Sequence, residues 1–108
     1  MPRPAAAENV FRAIADPTRR AILDQLRAGR APVNELAAGF RMSRPAVSKH
    51  LRVLRQARLV HERRDGRQRL YYMDPVPLRD ISQWLEGYRA FWQVSLSNLK
   101  RLIETGNR

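Results

Sequence analysis

Between residues 43 and 73 the chain sets a capped helix directly before a hairpin, and that order confines it to few folds. Ser43 is a hydroxyl N-cap with Pro45 in the first turn, where a missing N–H does no harm. Val47, Leu51 and Leu54 follow at i, i+4 and i+7, so one face of this helix packs. Arg44, Ser48, Lys49, Arg52 and Arg55 stand on about the opposite side. The runs 59–64 and 67–73 are β-prone and flank Asp65-Gly66, the dipeptide expected in a tight hairpin whose turn residues both take φ > 0. The expectation is a two-stranded ribbon beside a helix with one free polar face.

Helices lead into this unit. Residues 8–15 read as a short helix with Val10, Phe11 and Ile14 as its apolar stripe. Asp16 is an N-cap and Pro17 a first-turn proline for a second helix over about 17–28, with Ile22, Leu23 and Leu26 inward and Gly29 closing it. Residues 30–32 form a connector; Val33 or Asn34 then opens a third helix burying Leu36, Ala37 and Phe40, and Gly39 and Arg41 mark a tight turn. Beyond Asp74-Pro75 a long helix over 75–105 repeats Ile81, Trp84, Leu85, Tyr88, Phe91, Trp92, Leu96, Leu99, Leu102 and Ile103 at threes and fours. Three short helices cannot cover such a stripe, so it is expected to pack against its copy in a second subunit. The whole is mainly α with a small β-wing: one domain over 1–108, with about five helices and a two-stranded hairpin.

Charge says what the free face meets. Residues 41–69 hold ten Lys/Arg against Glu62 and Asp65, which is +8 of the net +11. Residues 1–40 hold six bases against four acids, and residues 70–108 five against four, so the remainder is nearly balanced. Nineteen of the twenty-one bases are Arg, which coding bias explains; bias does not explain why the excess gathers in one segment. A concentrated positive field is the footprint of a protein that neutralises phosphates. With no cysteine, disulfides, thiolate metal sites and thiol redox switches are excluded. No run reaches the roughly 18 apolar residues of a membrane span, and residues 1–8 lack the apolar stretch of a secretory signal, so a cytoplasmic protein away from membranes is expected.

Helix, turn, helix and basic ribbon in this order describe a helix-turn-helix with a β-wing, whose helix fits the major groove of double-stranded DNA while the ribbon tracks phosphates. Ser43, Arg44, Pro45, Ser48 and Lys49 occupy the first two turns and are the candidates for base edges, Arg44 for guanine. Arg52, Arg63, Arg64, Arg67 and Arg69 suit phosphates. His50 either touches a phosphate or packs half-buried; with Ser48 at i−2 it makes no catalytic dyad, because the two side chains diverge on a helix. His61 is read as structural. Arg19 is expected in an ion pair with Asp16 or Asp24, and Arg20 stays open to a phosphate. The aromatics of the last helix are first of all a dimer core, with an effector pocket as the alternative.

The stretches 15–23 (Ala-Asp-Pro-Thr-Arg-Arg-Ala-Ile-Leu), 34–37 (Asn-Glu-Leu-Ala), 42–54 (Met-Ser-Arg-Pro-Ala-Val-Ser-Lys-His-Leu-Arg-Val-Leu) and 63–67 (Arg-Arg-Asp-Gly-Arg) together resemble bacterial regulators of the ArsR/SmtB family. The resemblance implies a homodimeric winged-helix repressor of palindromic operators, paired through its first and last helices, which adds Phe11 to the dimer surface. The chain departs from metal-sensing members: Pro32, Val33 and Asn34 stand where those place cysteines, and the last helix has no histidine. Asp80, Glu86 and Glu104 are its only acids, a poor transition-metal set, so neither metal nor other cofactor is expected. The effector is not specified. An architectural protein that coats DNA without sequence preference is the competing reading. No acidic cluster, histidine pair or phosphate loop supports an enzyme.

Overall fold

In the computed structural model, residues 4–106 are described, with side chains from residue 8 onward. Among them the order is α1 (Pro4–Ile14), α2 (Pro17–Ala28), β1 (Ala31–Pro32), α3 (Val33–Phe40), α4 (Arg44–Gln56), β2 (Val60–Asp65), β3 (Gln68–Met73), a 3₁₀ turn (Val76–Leu78) and α5 (Arg79–Gly106). The mainly helical fold with a β-wing is thus present. Helix α1 starts at Pro4 rather than Glu8, because proline is tolerated in a first turn and Ala5-Ala6-Ala7 are strong helix formers even without an apolar period.

The caps sit where local chemistry puts them. Asp16 Oδ1 accepts from the N–H groups of Thr18 (2.7 Å) and Arg19 (3.2 Å) at the start of α2, and Ser43 Oγ accepts from the Ala46 N–H (3.2 Å) at the start of α4. At the other end of α1, the arginines of α2 serve as the cap. Arg19 donates to the carbonyls of Ala13 (2.7 Å) and Arg12 (2.9 Å), and Arg20 to that of Ile14 (2.7 Å). These are the carbonyls a helix end leaves orphaned, and cations are favoured there.

Helices α3 and α4 end in one shared pattern. Met42 N–H bonds Ala37 O (3.1 Å) with Arg41 N–H on Ala38 O (3.4 Å), and Leu59 N–H bonds Leu54 O (3.0 Å) with Arg58 N–H on Arg55 O (2.9 Å). These are Schellman closures, in which the turning residue is left-handed and usually glycine. Here the turning residues are Arg41 (φ 53°) and Arg58 (φ 60°). Gly39, expected in the turn, lies inside α3.

The core gathers Val10 and Ala13 of α1, Ile22, Leu23 and Leu26 of α2, Leu36 and Ala37 of α3, Val47, Leu51 and Leu54 of α4, and Leu59, Val60 and Tyr71. The ribbon differs from expectation in having three antiparallel strands, ordered β1-β3-β2. Ala31 and Pro32, read as a connector, pair with Tyr71 and Leu70. Two residues are too few to carry a strand's period, and proline suits an edge. The hairpin turn is also shifted by one residue. Asp65 is the last ladder residue, opposite Gln68, and the loop is Gly66-Arg67. Of these two, Gly66 alone has positive φ (63°), the pattern of a II′ turn rather than I′.

The last helix runs over 28 residues from Arg79, four later than expected, because Asp74-Pro75 opens a 3₁₀ turn first. At about 1.5 Å per residue it is about 42 Å long, and it stretches the molecule to 67 × 38 × 20 Å. No α5 residue is buried.

Candidate nucleic-acid interface

The apolar residues of α4 turn Val47, Leu51 and Leu54 to the core, so geometry leaves Arg44, Pro45, Ser48, Lys49 and Arg52 exposed on the far side. Ser43, exposed just before them, uses its oxygen as the cap and keeps its O–H free to donate. Strand alternation sorts the wing. Val60, Glu62 and Arg64 of β2 share a face with Met73, Tyr71 and Arg69 of β3, their cross-strand partners. Val60 and Tyr71 are buried, so this is the face turned to the helices, and Arg64 and Arg69 continue it toward the tip. Arg63 points to the opposite face, across from Leu70.

One cleft joins these parts. Pro32, Val33 and Asn34 at the start of α3, Arg44 and Ser48 of α4, and Arg67, Gln68, Arg69 and Tyr71 of the wing enclose about 420 Å³. The structure therefore brings Arg44, Ser48, Arg67 and Arg69 together from two separated stretches. Asn34 and Gln68 enter the same cleft as neutral hydrogen-bonding groups; neither carried a signal in the sequence beyond its polarity. Arg64 and Arg69 face each other as like charges across the ladder, an arrangement that is unfavourable by itself and that an anion relieves.

Acid tempers part of this field. Glu62 holds Arg55 at 3.2 Å and Arg69 at 3.7 Å, so Arg55, expected on the free face, is turned to the wing, and one carboxylate serves two guanidiniums. Glu62 Oε2 is buried without a hydrogen-bond partner among the described residues. Burial pushes the neighbouring Tyr71 phenol above its ordinary 10.0, and the Glu62 charge pushes it the same way.

His50 has a different setting from Arg44 and Ser48. It is half-buried on the flank of α4 away from Arg44 and Ser48, with Nδ1 3.5 Å from Arg19 Nη1. Arg19 also stands 3.7 Å from Asp16 Oδ2, the expected ion pair. His50 thus packs beside Arg19, and Arg20 is engaged with Ile14 O. The N–H of Arg19 above all, with that of Thr18 and the Arg19 charge, holds the Asp16 carboxyl below its ordinary 3.8. His61 Nε2 meets Asp74 Oδ2 at 3.1 Å and its ring lies 5.6 Å from Tyr72, a structural tie between β2 and the end of β3 with the loop that follows it. Val76 N–H and then His61 hold Asp74 low.

Away from the core, α1 and α5 leave an apolar surface open. Phe11 stands edge-on to Trp84 at 5.7 Å, Trp84 meets Tyr88 at 5.3 Å, and Tyr88 stacks with Trp92 at 6.3 Å. Ile81 and Leu85 are half-buried, while Trp84, Phe91, Trp92, Leu96 and Leu99 are 46–65% exposed. The polar side of α5 is laced instead by Glu86–Arg89 (3.7 Å) and Lys100–Glu104 (3.9 Å). Among the described residues no group of three or more His, Cys, Asp or Glu is placed to hold a metal, and no helix is long and apolar enough to cross a membrane.

A polar helix face, a basic wing across a shared cleft and three supporting helices define a winged helix-turn-helix DNA-binding protein. Residues 16–62 match the model of the bacterial regulatory proteins of the arsR family. Over 98 residues the chain is 42% identical to the HTH-type transcriptional regulator Rv2034 of Mycobacterium tuberculosis, spanning 91% of this chain and 89% of that one. It is 40% identical to the transcriptional repressor SdpR of Bacillus subtilis, over 71% of this chain and 86% of that one. Among solved structures, an ArsR-like transcriptional regulator from Rhodococcus sp. RHA1 superposes with a TM-score of 0.74 at 31% identity, covering 94% of both chains. The chain belongs to the ArsR family and is a transcriptional regulator, not an enzyme.

Proposed function

We propose that this chain is a homodimeric repressor that binds a palindromic operator and occludes the promoter. The carrying observation is the cleft in which Arg44 and Ser48 of α4 face Arg67 and Arg69 of the wing, beside an apolar helix face too long for its own subunit. In this reading Ser43, Arg44, Pro45, Ser48 and Lys49 enter the major groove. Arg52, Arg64, Arg67 and Arg69 contact phosphates, and Arg63, on the outer face of the wing, reaches a more distant one. The stripe from Trp84 to Leu99, with Phe11, forms the two-fold interface, which sets the two copies of α4 about one helical turn apart.

Fluorescence anisotropy on the chain's own upstream promoter fragment and a scrambled copy, at about 150 mM salt, tests the reading. A sequence-specific repressor prefers its site by roughly a thousandfold or more. Equal affinity for the two duplexes, persisting for fragments selected from the whole genome, would establish sequence-tolerant coating instead. Promoter output unchanged at saturating occupancy would sink occlusion while leaving the DNA contact intact.

A further inference from the structure

Arg41 and Arg58 are the only non-glycine residues with positive φ among the described residues. Both fill the turning position of a Schellman closure, where an L side chain crowds the backbone and glycine does not. Both are exposed, and neither guanidinium has a hydrogen bond or ion pair among the described residues. Such strain persists only where the surrounding structure over-determines it, as the two closing hydrogen bonds do at each turn, and it gathers at functional sites.

Their surroundings separate them. Arg58 lies at the far end of α4, about 20 Å along the axis from Arg44 at 1.5 Å per residue. It shares one groove with Asp80 and another with Glu62, so carboxylates stand nearby. Arg41 lies two residues before the Ser43 cap, in the turn that feeds the reading helix. Its neighbours Phe40 and Met42 pack against the core, which fixes the backbone and turns the Arg41 side chain outward. No acid stands in the sequence between Glu35 and Glu62, so the stretch around Arg41 offers only positive charge.

We propose that an arginine rather than a glycine stands at this left-handed position because the Arg41 guanidinium binds a DNA backbone phosphate flanking the groove that α4 enters. This rests on the DNA-binding reading above. When the first turn of a helix sits in the major groove, the residues just before it run past the phosphates of one strand, within reach of a long side chain. Such a contact carries no sequence information, supplies affinity and adds to the salt dependence.

The test uses the full chain with four substitutions, a selected promoter fragment and a scrambled duplex, titrated between about 50 and 300 mM salt. Arg41→Gln removes the charge; it is expected to weaken binding about fivefold per subunit at 150 mM on both duplexes and to flatten the log–log salt slope by about 0.9 per subunit. Arg41→Lys keeps the slope. Arg41→Gly loses affinity like the glutamine variant while raising Tm by a few degrees, since strain is relieved. That opposition of binding and stability is what a purely structural residue would not produce. Arg58→Gln, the matched reference, leaves affinity within about twofold. Wild-type binding with an Arg41→Gln variant of unchanged affinity and slope would overturn the assignment alone. Wild type that binds neither duplex would overturn the DNA reading with it, whereas wild type that binds both equally removes sequence specificity and still reports the Arg41 contact.

Discussion

Asp16, Ser43 and Asp74 each start an element by accepting N–H groups that the backbone would leave orphaned. Such bonds span two or three residues, which is why both helix starts were legible from Asp16-Pro17 and from Ser43 with Pro45. The carboxylates of Asp16 and Asp74 have folded-state pKa values below the ordinary 3.8. Their contribution is therefore fully present above that value and is lost as pH falls through the lower folded values. Thermal melts between pH 6 and pH 2 should show Tm falling in the acid limb, and Asp74→Asn should flatten that limb; a variant melting in parallel with wild type would refute the link. Arg44 lines the cleft with Ser48, and the proposed function gives it a base edge to read. Arg44→Ala should remove about 1–3 kcal/mol of discrimination at one operator position per half-site, read by binding selection. Other residue roles needed the fold. Arg55 and Arg69 converge on Glu62, and His50 meets Arg19, from elements far apart in the chain.

Among the elements, α4 and the wing line one cleft, and the proposed function divides base and phosphate contacts between them. Arg67 sits in the hairpin loop beside Gly66, at the wing's tip, and is assigned to a phosphate in that proposal. Arg67→Ala should weaken binding to all duplexes about equally and lower the salt slope by roughly 1, with base preference kept; a changed preference would move the wing to base reading. Gly66 has φ of 63° and open space where a Cβ would stand, so only the backbone conformation resists substitution. Gly66→Ala should cost about 1 kcal/mol in denaturant unfolding and loosen the wing without touching the core. The hairpin was readable because glycine punctuates it, although the turn falls one residue later than the Asp-Gly pairing suggests. β1 was not readable: Ala31 and Pro32 are strand only because β3 offers them a partner.

For the whole molecule the decisive feature is α5, about 42 Å of helix by its rise per residue with no buried residue and an aromatic ladder begun by Phe11 of α1. Burying such a face is worth about 1.5–3 kcal/mol per large side chain, and two-fold pairing counts each contact twice. Trp92→Glu should therefore raise the dimer dissociation constant by roughly a hundredfold or more, seen by sedimentation. Operator affinity should fall with it, because the second half-site is no longer held at high effective concentration. A Trp92→Glu chain that sediments and binds like wild type would place the subunit contact elsewhere. Features that depend on neighbours along the chain were legible before folding: helix starts, apolar stripes, the glycine turn and the charge concentrated over residues 41–69. Which arginines stay free was settled by the packing of distant segments, since it depends on where Glu62 and the carbonyls of α1 come to rest. That packing also decided that Arg41 must turn left-handed, because the core contacts of Phe40 and Met42 fix the chain on both sides of it.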